Sequence, residues 1–256
     1  MTTALRTKKG YGDFGVLSEN YRIARKGFPD ESIAYIFKIL EEKNPHILDI
    51  GCGTGIATTQ LYENGARVIG TDIDAKMIQR ANEKNLYKIE YHIAPAVKQP
   101  FADHTFDAVT AFSAFHWFAD TETLIEMKRV LKSDGIFFVV NKNETGNFKK
   151  ENKEILQRFI SKAMTDIKKE YNPVHILNAN GLQDVREQHF ATAEYFSTDA
   201  ALAYVQTMSV WNLVSSEKKG TALHALRSHF SAISNLYGVI ERKLDVVVVS
   251  GRTTKW

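Results

Sequence analysis

The stretch that most constrains the fold is a glycine-rich turn within residues 46–61, HILDIGCGTGIATTQL. Its three glycines, Gly51, Gly53 and Gly55, follow an apolar run that contains Asp49 and precede a helix-like run. Glycine weakens strands and helices, but it lets the backbone turn sharply and approach another group closely. A turn without a ligand needs only one glycine. Three at alternate positions therefore predict a strand-to-helix turn against which a ligand lies.

Strand-like and helix-like segments alternate through the first half of the chain. The strand-like segments read HILDI, ARVIGTDID, YKIEYHIA, FDAVTAFSA and IFFVVN, and the helix-like segments read GIATTQLYENG, AKMIQRANEKN and TETLIEMKRVLKSDG. This alternation predicts a parallel sheet with helices on both sides and right-handed crossovers. Ligands of such sheets bind beyond the carboxyl ends of the strands, so the glycine turn marks the predicted site.

The pattern changes in the second half. Residues 142–188 are largely polar and helix-like, HFATAEYF reads as a strand, 198–238 reads as two helices, and LDVVVVSGRT is a late apolar strand. We expect segments 142–188 and 198–238 to form a helical cap over the strand ends. Residues 1–40 are expected to supply N-terminal lid helices, and the whole chain, 1–256, to form a single domain.

Composition narrows the function classes. The formal net charge of +3 gives no case for a nucleic-acid partner. The one cysteine cannot form an intrachain disulfide and does not favour a zinc cluster, so no metal is expected. The start, MTTALRTKKGYGDFG, has no apolar segment of a signal peptide, and no apolar run approaches the length of a membrane span. We therefore expect a cytoplasmic protein.

Two acids follow the second strand-like segment, in VIGTDID. Asp72 is placed to accept hydrogen bonds from both ribose hydroxyls of a nucleoside, whereas Asp74 is suited to cap the following helix. The glycine spacing is G-x-G-x-G, and Ile56 stands where a dinucleotide-binding turn would place its third glycine. This spacing fits an uncharged nucleoside with an amino-acid tail. A nicotinamide-dependent oxidoreductase is the less favoured alternative.

Four segments in register carry a resemblance to a known family: ILDIGCGTG, VIGTDIDAKMI, PFADHTFDAVTAFSAFHWF and EMKRVLKSDGIFFVV. Over roughly residues 20–141 the chain resembles class I S-adenosylmethionine-dependent methyltransferases. AFHWF, with YRIARKGFP upstream, is similar to the small-molecule branch that includes trans-aconitate methyltransferase-like proteins. The resemblance implies a Rossmann-like, doubly wound, mostly parallel seven-stranded sheet with a helical cap. It also implies methyl transfer to a small molecule by direct displacement, with a carboxylate or hydroxyl acceptor favoured.

The resemblance also implies roles for residues of a cofactor site. The backbone at the three glycines would face the methionine part, and Asp49 would hold the turn and receive the cofactor's ammonium, directly or through water. Asp72 would take the ribose hydroxyls, and Ile73 would flank the adenine. The segment APAVKQP, which the resemblance places near the adenine amine, contains no acidic residue. The backbone around Ala96 is therefore the expected contact of the adenine. The remaining residues implied for the cofactor are Ala111 and Phe112 near the sulfonium, and Tyr21 and Arg25 at the carboxylate.

The acceptor side is less defined by the sequence. His116 is a candidate general base if the acceptor has a proton to lose, although a histidine here is also consistent with packing beneath the following helix. Trp117 is expected to wall the cleft. The resemblance implies that Thr207 and Trp211 face substrate, but an ordinary amphipathic helix is an equal interpretation, as is a solvated helix for Arg25. A cofactor-binding protein without transferase activity remains a second alternative.

Overall fold

The computed structural model describes residues 25–83, 85–161 and 171–254. Seven strands form one sheet in the order β3-β2-β1-β4-β5-β7-β6. All pairs from β3 to β5 are parallel, and β7 runs antiparallel to both β5 and β6. The mostly parallel sheet confirms the predicted fold class. The strands are β1 (His46–Ile50), β2 (Arg67–Asp72), β3 (Glu90–Ile93), β4 (Phe106–Phe112), β5 (Leu131–Glu144), β6 (Gln183–Phe196) and β7 (Ile240–Arg252).

Three of the described α-helices begin at a capping side chain. The side chains of Asp120, Asn172 and Ser197 each accept a hydrogen bond from a backbone N–H in the first turn of the helix that follows. None of the helices that the structure describes is long and apolar enough to cross a membrane. The helices are α1 (Asp30–Leu40), α2 (Ile56–Glu63), α3 (Ala75–Glu83), α4 (Thr121–Val130), α5 (Phe148–Gln157), α6 (Pro173–Ala179), α7 (Thr198–Gln206) and α8 (Lys219–Ile233).

The central strands are buried on both faces, as their apolar runs predict. In β5, Phe137 and Val139 pack into the core on one face of the sheet, and Phe138 and Val140 pack into the core on the other. Successive side chains of a strand point to opposite faces, so one continuous apolar segment supplies both cores. The carboxyl ends of the parallel strands are thereby fixed relative to one another.

One predicted boundary is wrong. The segment TETLIEMKRVLKSDG was predicted as a helix up to its glycine, but α4 ends at Val130 and β5 already begins at Leu131. Leu131 pairs with Phe106 of β4 and is fully buried. Pairing with β4 and burial therefore override the helical spacing of this segment.

A third core lies apart from the two sheet cores and is formed mainly by α5, α7 and α8, which are together called the cap below. The ring of Phe148 in α5 stacks on those of Phe196 and Phe230, with centroid distances of 5.8 Å and 5.6 Å. The predicted cap segments overlap the sheet at their edges, because 142–144 belong to β5 and 183–188 to β6. Leu177 of α6 packs into a sheet core instead of the cap core.

The predicted lid segment, 1–40, is described only from residue 25 onward. Within it, α1 buries Ile33 and Ile36 completely in the core on one face of the sheet. This helix therefore packs as part of the sheet layer. The predicted lid role of residues 1–24 lies outside the described residues.

Candidate active site

A cavity of about 720 Å³ lies at the carboxyl ends of β1, β2 and β4. This volume is typical of small-molecule sites. The cavity has two parts with different walls. The turn half is lined by residues of the loops after β1, β2 and β3, including Gly51, Gly53, Asp72, Ile73 and Ala96. The cap half is lined by residues of the N-terminal segment, β5 to β7 and the cap, including Arg25, Lys142, Lys149, Tyr204 and Arg242.

The three glycines of the turn all have positive φ, at 66°, 55° and 78° for Gly51, Gly53 and Gly55. A Cβ at Gly51 would lie 2.6 Å from the Cβ of Ala114, and a Cβ at Gly55 would lie 2.4 Å from the Tyr91 hydroxyl. A Cβ at Gly53, which lines the cavity, would meet nothing within 4 Å. Gly51 and Gly55 therefore allow close packing of the turn, whereas Gly53 leaves open space for a ligand.

Asp72 is fixed at the end of β2 by two backbone amides. Its Oδ2 accepts a hydrogen bond from the Gly53 N–H at 2.9 Å, and its Oδ1 accepts one from the Asp74 N–H at 2.9 Å. Burial raises the pKa of Asp72, although these amides oppose that shift. Asp74 accepts from the N–H groups of Lys76 and Met77, which confirms it as the cap of α3. Asp72 thus faces the cavity with both oxygens oriented.

Asp49 lies behind the turn and does not line the cavity. It is fully buried, and its two oxygens accept hydrogen bonds from the hydroxyls of Thr58 at 2.6 Å and Thr110 at 3.0 Å. Burial raises the pKa of Asp49 to about 7, against the effect of both hydroxyls. Its carboxyl ties β1 to α2 and β4. The structure does not bring it to the cavity wall, so it is not placed for a direct contact with the cofactor's ammonium, and a contact through water stays a prediction.

The other predicted residues divide between the wall and the core. The structure brings Arg25, Ile73, Ala96, Phe112, His116 and Trp117 together on the cavity wall with Gly51, Gly53 and Asp72. Ala111 is buried in a sheet core and Trp211 in the cap core, and neither lines the cavity. Tyr21 lies outside the described residues. Trp211 differs from its predicted place because the chain beyond α7 turns it into the apolar interior of the cap.

His116 lies in a short 3₁₀ helix, Phe115–Trp117, directly after β4. Its ring centroid is 4.9 Å from that of Trp117 and 5.9 Å from that of Tyr171, which it meets edge to face. Burial in the cavity lowers the pKa of His116, and the nearby charge of Lys149 contributes. A lowered pKa favours the neutral imidazole, the form that accepts a proton.

A buried ionic cluster forms the floor of the cap half. Arg242 donates to Glu144 at 2.7 Å and to Glu194 at 2.9 Å, and its side chain is 6% exposed. Lys142 donates to the second oxygen of Glu194 at 2.6 Å and to the carbonyls of residues 26 and 27 at 2.8 Å. This ionic cluster joins β5, β6 and β7 to the segment that carries Arg25. Sequence reasoning missed it, because its members come from separate strands.

Arg25 is anchored to the cap. Its guanidinium donates to the hydroxyls of Thr207 and Tyr204, each at 3.0 Å, and lies 4.4 Å from the Tyr204 ring centroid. Thr207 is fully buried and does not line the cavity. Arg25 therefore lies on the cavity wall, and its contact with the cofactor carboxylate stays a prediction. Thr207, which was expected to face substrate, instead supports Arg25 from behind.

Comparison with known proteins relates part of this chain to methyltransferases. A family profile described as "Methyltransferase domain" matches residues 48–139. A methyltransferase of Dictyostelium discoideum is 30% identical over 140 residues, 54% of this chain and 52% of that protein. The demethylmenaquinone methyltransferase of Chlorobaculum parvum is 37% identical over 101 residues, 39% of this chain and 42% of that protein. The chain thus spans about half the length of these relatives or less.

The fold is shared with solved structures. A type II methyltransferase structure from Anaeromyxobacter dehalogenans superposes with a TM-score of 0.68, covering 91% of this chain and 99% of that one at 19% identity. Residues 48–139 thus match a methyltransferase domain, and the strand order is that of the class I methyltransferase fold, whose enzymes use S-adenosylmethionine as cofactor. These findings favour the methyltransferase over the nicotinamide-dependent alternative.

Proposed function

We propose that this protein transfers a methyl group from S-adenosylmethionine to a small organic acceptor held in the cap half. The carrying observation is one continuous cavity that joins the Gly53 and Asp72 cradle to a chamber under the cap. A cofactor in the turn half and an acceptor in the cap half would then meet within one enclosure.

The turn half fits the cofactor. The open space at Gly53 admits a ligand against bare backbone, and Asp72 offers the free lone pairs of two fixed oxygens to ribose hydroxyls. Ile73, with 45% of its surface exposed beside Asp72, offers an apolar face for adenine, and backbone at Ala96 lies on the same wall. Arg25 would hold the cofactor carboxylate. Asp49 would act only by holding the turn from behind.

Methyl transfer by direct displacement requires that the protein position the two reactants and exclude water, and it needs no catalytic triad. S-adenosylmethionine, when bound, supplies an electrophilic methyl group on a positively charged sulfur. Trp117, Tyr171, Met208 and Val210 line the cap half and would shield an acceptor from solvent. A carboxylate acceptor loses no proton, whereas a hydroxyl acceptor does, and His116 would take that proton.

The relatives support a small acceptor. The Chlorobaculum parvum protein bears the name of an enzyme for demethylmenaquinone, a small organic molecule. We also propose that the chain is most similar in function to trans-aconitate methyltransferase-like proteins. The acceptor group would then be a carboxylate or a hydroxyl. The proposal further assigns methyltransferase activity to the whole chain and no nucleic-acid partner.

Binding and turnover test the proposal separately. S-adenosylhomocysteine should raise the melting temperature, and NAD should leave it unchanged. Methyl-labelled S-adenosylmethionine, incubated with the protein and a panel of organic acids and alcohols, should label at least one compound. Binding of S-adenosylhomocysteine without any labelled product across the panel would instead support the non-catalytic alternative.

His116→Ala separates a catalytic role from a packing role. This variant should retain affinity for S-adenosylhomocysteine, because His116 lies on the cap side of the cavity. With a hydroxyl acceptor its turnover should fall roughly 100-fold or more, the usual size of a general-base effect. Unchanged turnover would assign His116 to packing.

A further inference from the structure

A tyrosine of the edge strand β3 lies directly behind the glycine turn. Tyr91 pairs in register with Gly70 of β2, and its partly buried ring packs against the core that α1 and α2 share with the sheet. Tyr91 does not line the cavity. Any effect of this residue on a ligand in the cavity must therefore pass through the turn.

The ring of Tyr91 occupies the space that side chains would take at two glycines. A Cβ at Gly70 would lie 2.6 Å from Cδ1 of the ring, and a Cβ at Gly55 would lie 2.4 Å from the Tyr91 hydroxyl oxygen. Gly55 also has a positive φ, but Gly70 does not. The close approach of the ring is therefore what selects glycine at position 70, as is common for a glycine inside a strand.

The ring reaches from β2 to the start of α2. One end covers Gly70, where the Sγ of Cys52 in the turn would lie 3.0 Å from the added Cβ. The hydroxyl end lies at Gly55, the residue that precedes α2. Burial raises the pKa of Tyr91 to about 12, against the effect of nearby threonine hydroxyls on α2. The uncharged ring thus fills the space behind the turn from one end to the other.

Two supports hold the turn from behind. Asp49 accepts hydrogen bonds from α2 and β4 on one side, and the ring of Tyr91 packs against the turn on the other. Between them the Gly53 N–H donates to Asp72. Backbone rich in glycine has many accessible conformations, so a void in place of the ring would leave this stretch of backbone without a fixed position.

We infer that Tyr91 is a positioning residue for the cofactor, and that position 70 is glycine so that this ring can lie behind the turn. The inference rests on the cofactor site of the proposed function and adds to it two residues that do not line the cavity. A turn that is already ordered spares the ligand the cost of ordering it. Loss of the ring should therefore weaken cofactor binding although no group that contacts the cofactor is removed.

The first test measures the affinity of the full chain for S-adenosylhomocysteine by calorimetry. Tyr91→Leu should lose about tenfold in affinity, whereas Tyr91→Phe keeps the ring and should bind nearly as well as the parent. Tyr87→Leu is the matched control, because Tyr87 is 40% exposed and donates to Glu63 away from the cavity. This control should bind like the parent.

Gly70→Ala tests the second part of the inference. Its Cβ would displace the ring from behind the turn, so affinity for S-adenosylhomocysteine should fall about tenfold in the parent. In Tyr91→Leu the same change should cost much less, because effects of two residues that share one contact are not additive. All variants are compared at a temperature at which each is folded, as melting curves show. If Tyr91→Leu does not fold, Tyr91→Met takes its place, because methionine fills irregular gaps.

Three results would overturn the inference. One is an affinity like that of the parent in Tyr91→Leu, and another is a loss in Tyr91→Phe as large as in Tyr91→Leu. The third is an equal cost of Gly70→Ala with and without the ring. Failure of the parent protein to bind S-adenosylhomocysteine at all would contradict the proposed function instead.

Discussion

The two halves of the cavity are built in different ways. The turn half uses main chain and one carboxylate: a run with positive φ at Gly51, Gly53 and Gly55, held by Asp72. The cap half uses side chains, and its floor is the ionic cluster around Arg242. The turn half is built from short loops, each of which is continuous in sequence. The cap half brings together residues as distant in sequence as Arg25 and Arg242. Substitutions in the two halves should therefore differ in their effects on stability and on cofactor affinity.

The largest effect on stability should come from the cap half. Arg242→Met removes the cation that both Glu144 and Glu194 share, leaving buried carboxylates short of a partner, so the free energy of unfolding should fall by about 3–5 kcal/mol. Arg227→Met breaks only the exposed pair with Asp199 and should cost less than about 1 kcal/mol. Urea unfolding of both variants measures the difference. Equal losses would show that the ionic cluster does not hold the cap.

A side chain added at Gly51 should destabilise the turn half through a steric clash. Ala in place of Gly51 or Gly65 must adopt positive φ, at a cost of roughly 1–2 kcal/mol. Only at Gly51 would the new Cβ meet another side chain, at 2.6 Å from that of Ala114, which should add about 1–3 kcal/mol. Thermal unfolding of Gly51→Ala and Gly65→Ala compares them. If the two variants melt together, close packing at the turn is not what selects glycine there.

The carboxylate of the turn half should control affinity more than stability. Asp72→Asn keeps the side-chain volume but loses the charge and one acceptor, so affinity for S-adenosylhomocysteine should fall roughly 10- to 100-fold. Asp74→Asn retains a good helix cap and serves as the matched control, with affinity and stability near those of the parent. Calorimetry distinguishes the two. Equal affinities would remove Asp72 from the site.

The buried carboxyl of Asp49 should make the stability of the protein depend on pH. Burial raises its pKa from 3.8 to about 7 in the folded chain, so between these values the folded state binds more protons than the unfolded state. Stability from this group is therefore greatest at low pH and declines as pH rises from about 4 to about 7. Asp49→Asn should show a flatter profile in that window by urea unfolding. An unchanged slope would mean that Asp49 titrates normally.

Most of the sheet was predictable from local pattern. Alternating apolar and amphipathic segments indicate the strands, and the glycine turn and Asp72 mark the end of the sheet where the cavity lies. The boundary at Leu131 was not predictable, because pairing with Phe106 is a contact between distant segments. Local spacing alone continues the helix through that residue.

The cap half was predictable only in outline. Glu144, Glu194 and Arg242 of the ionic cluster come from three separate strands, β5, β6 and β7. Their roles depend on which elements pack together, which no local pattern encodes. Trp211 shows the converse: an aromatic residue in a predicted cap segment packs into the interior of the cap.

The most direct test of the account is a crystal structure of the protein with S-adenosylhomocysteine. We expect the ribose hydroxyls within hydrogen-bond distance of the Asp72 carboxylate, the amino-acid tail against the backbone at Gly53, and the sulfur facing the cap half. Density for the nucleoside elsewhere, or a ribose that makes no contact with Asp72, would contradict the account.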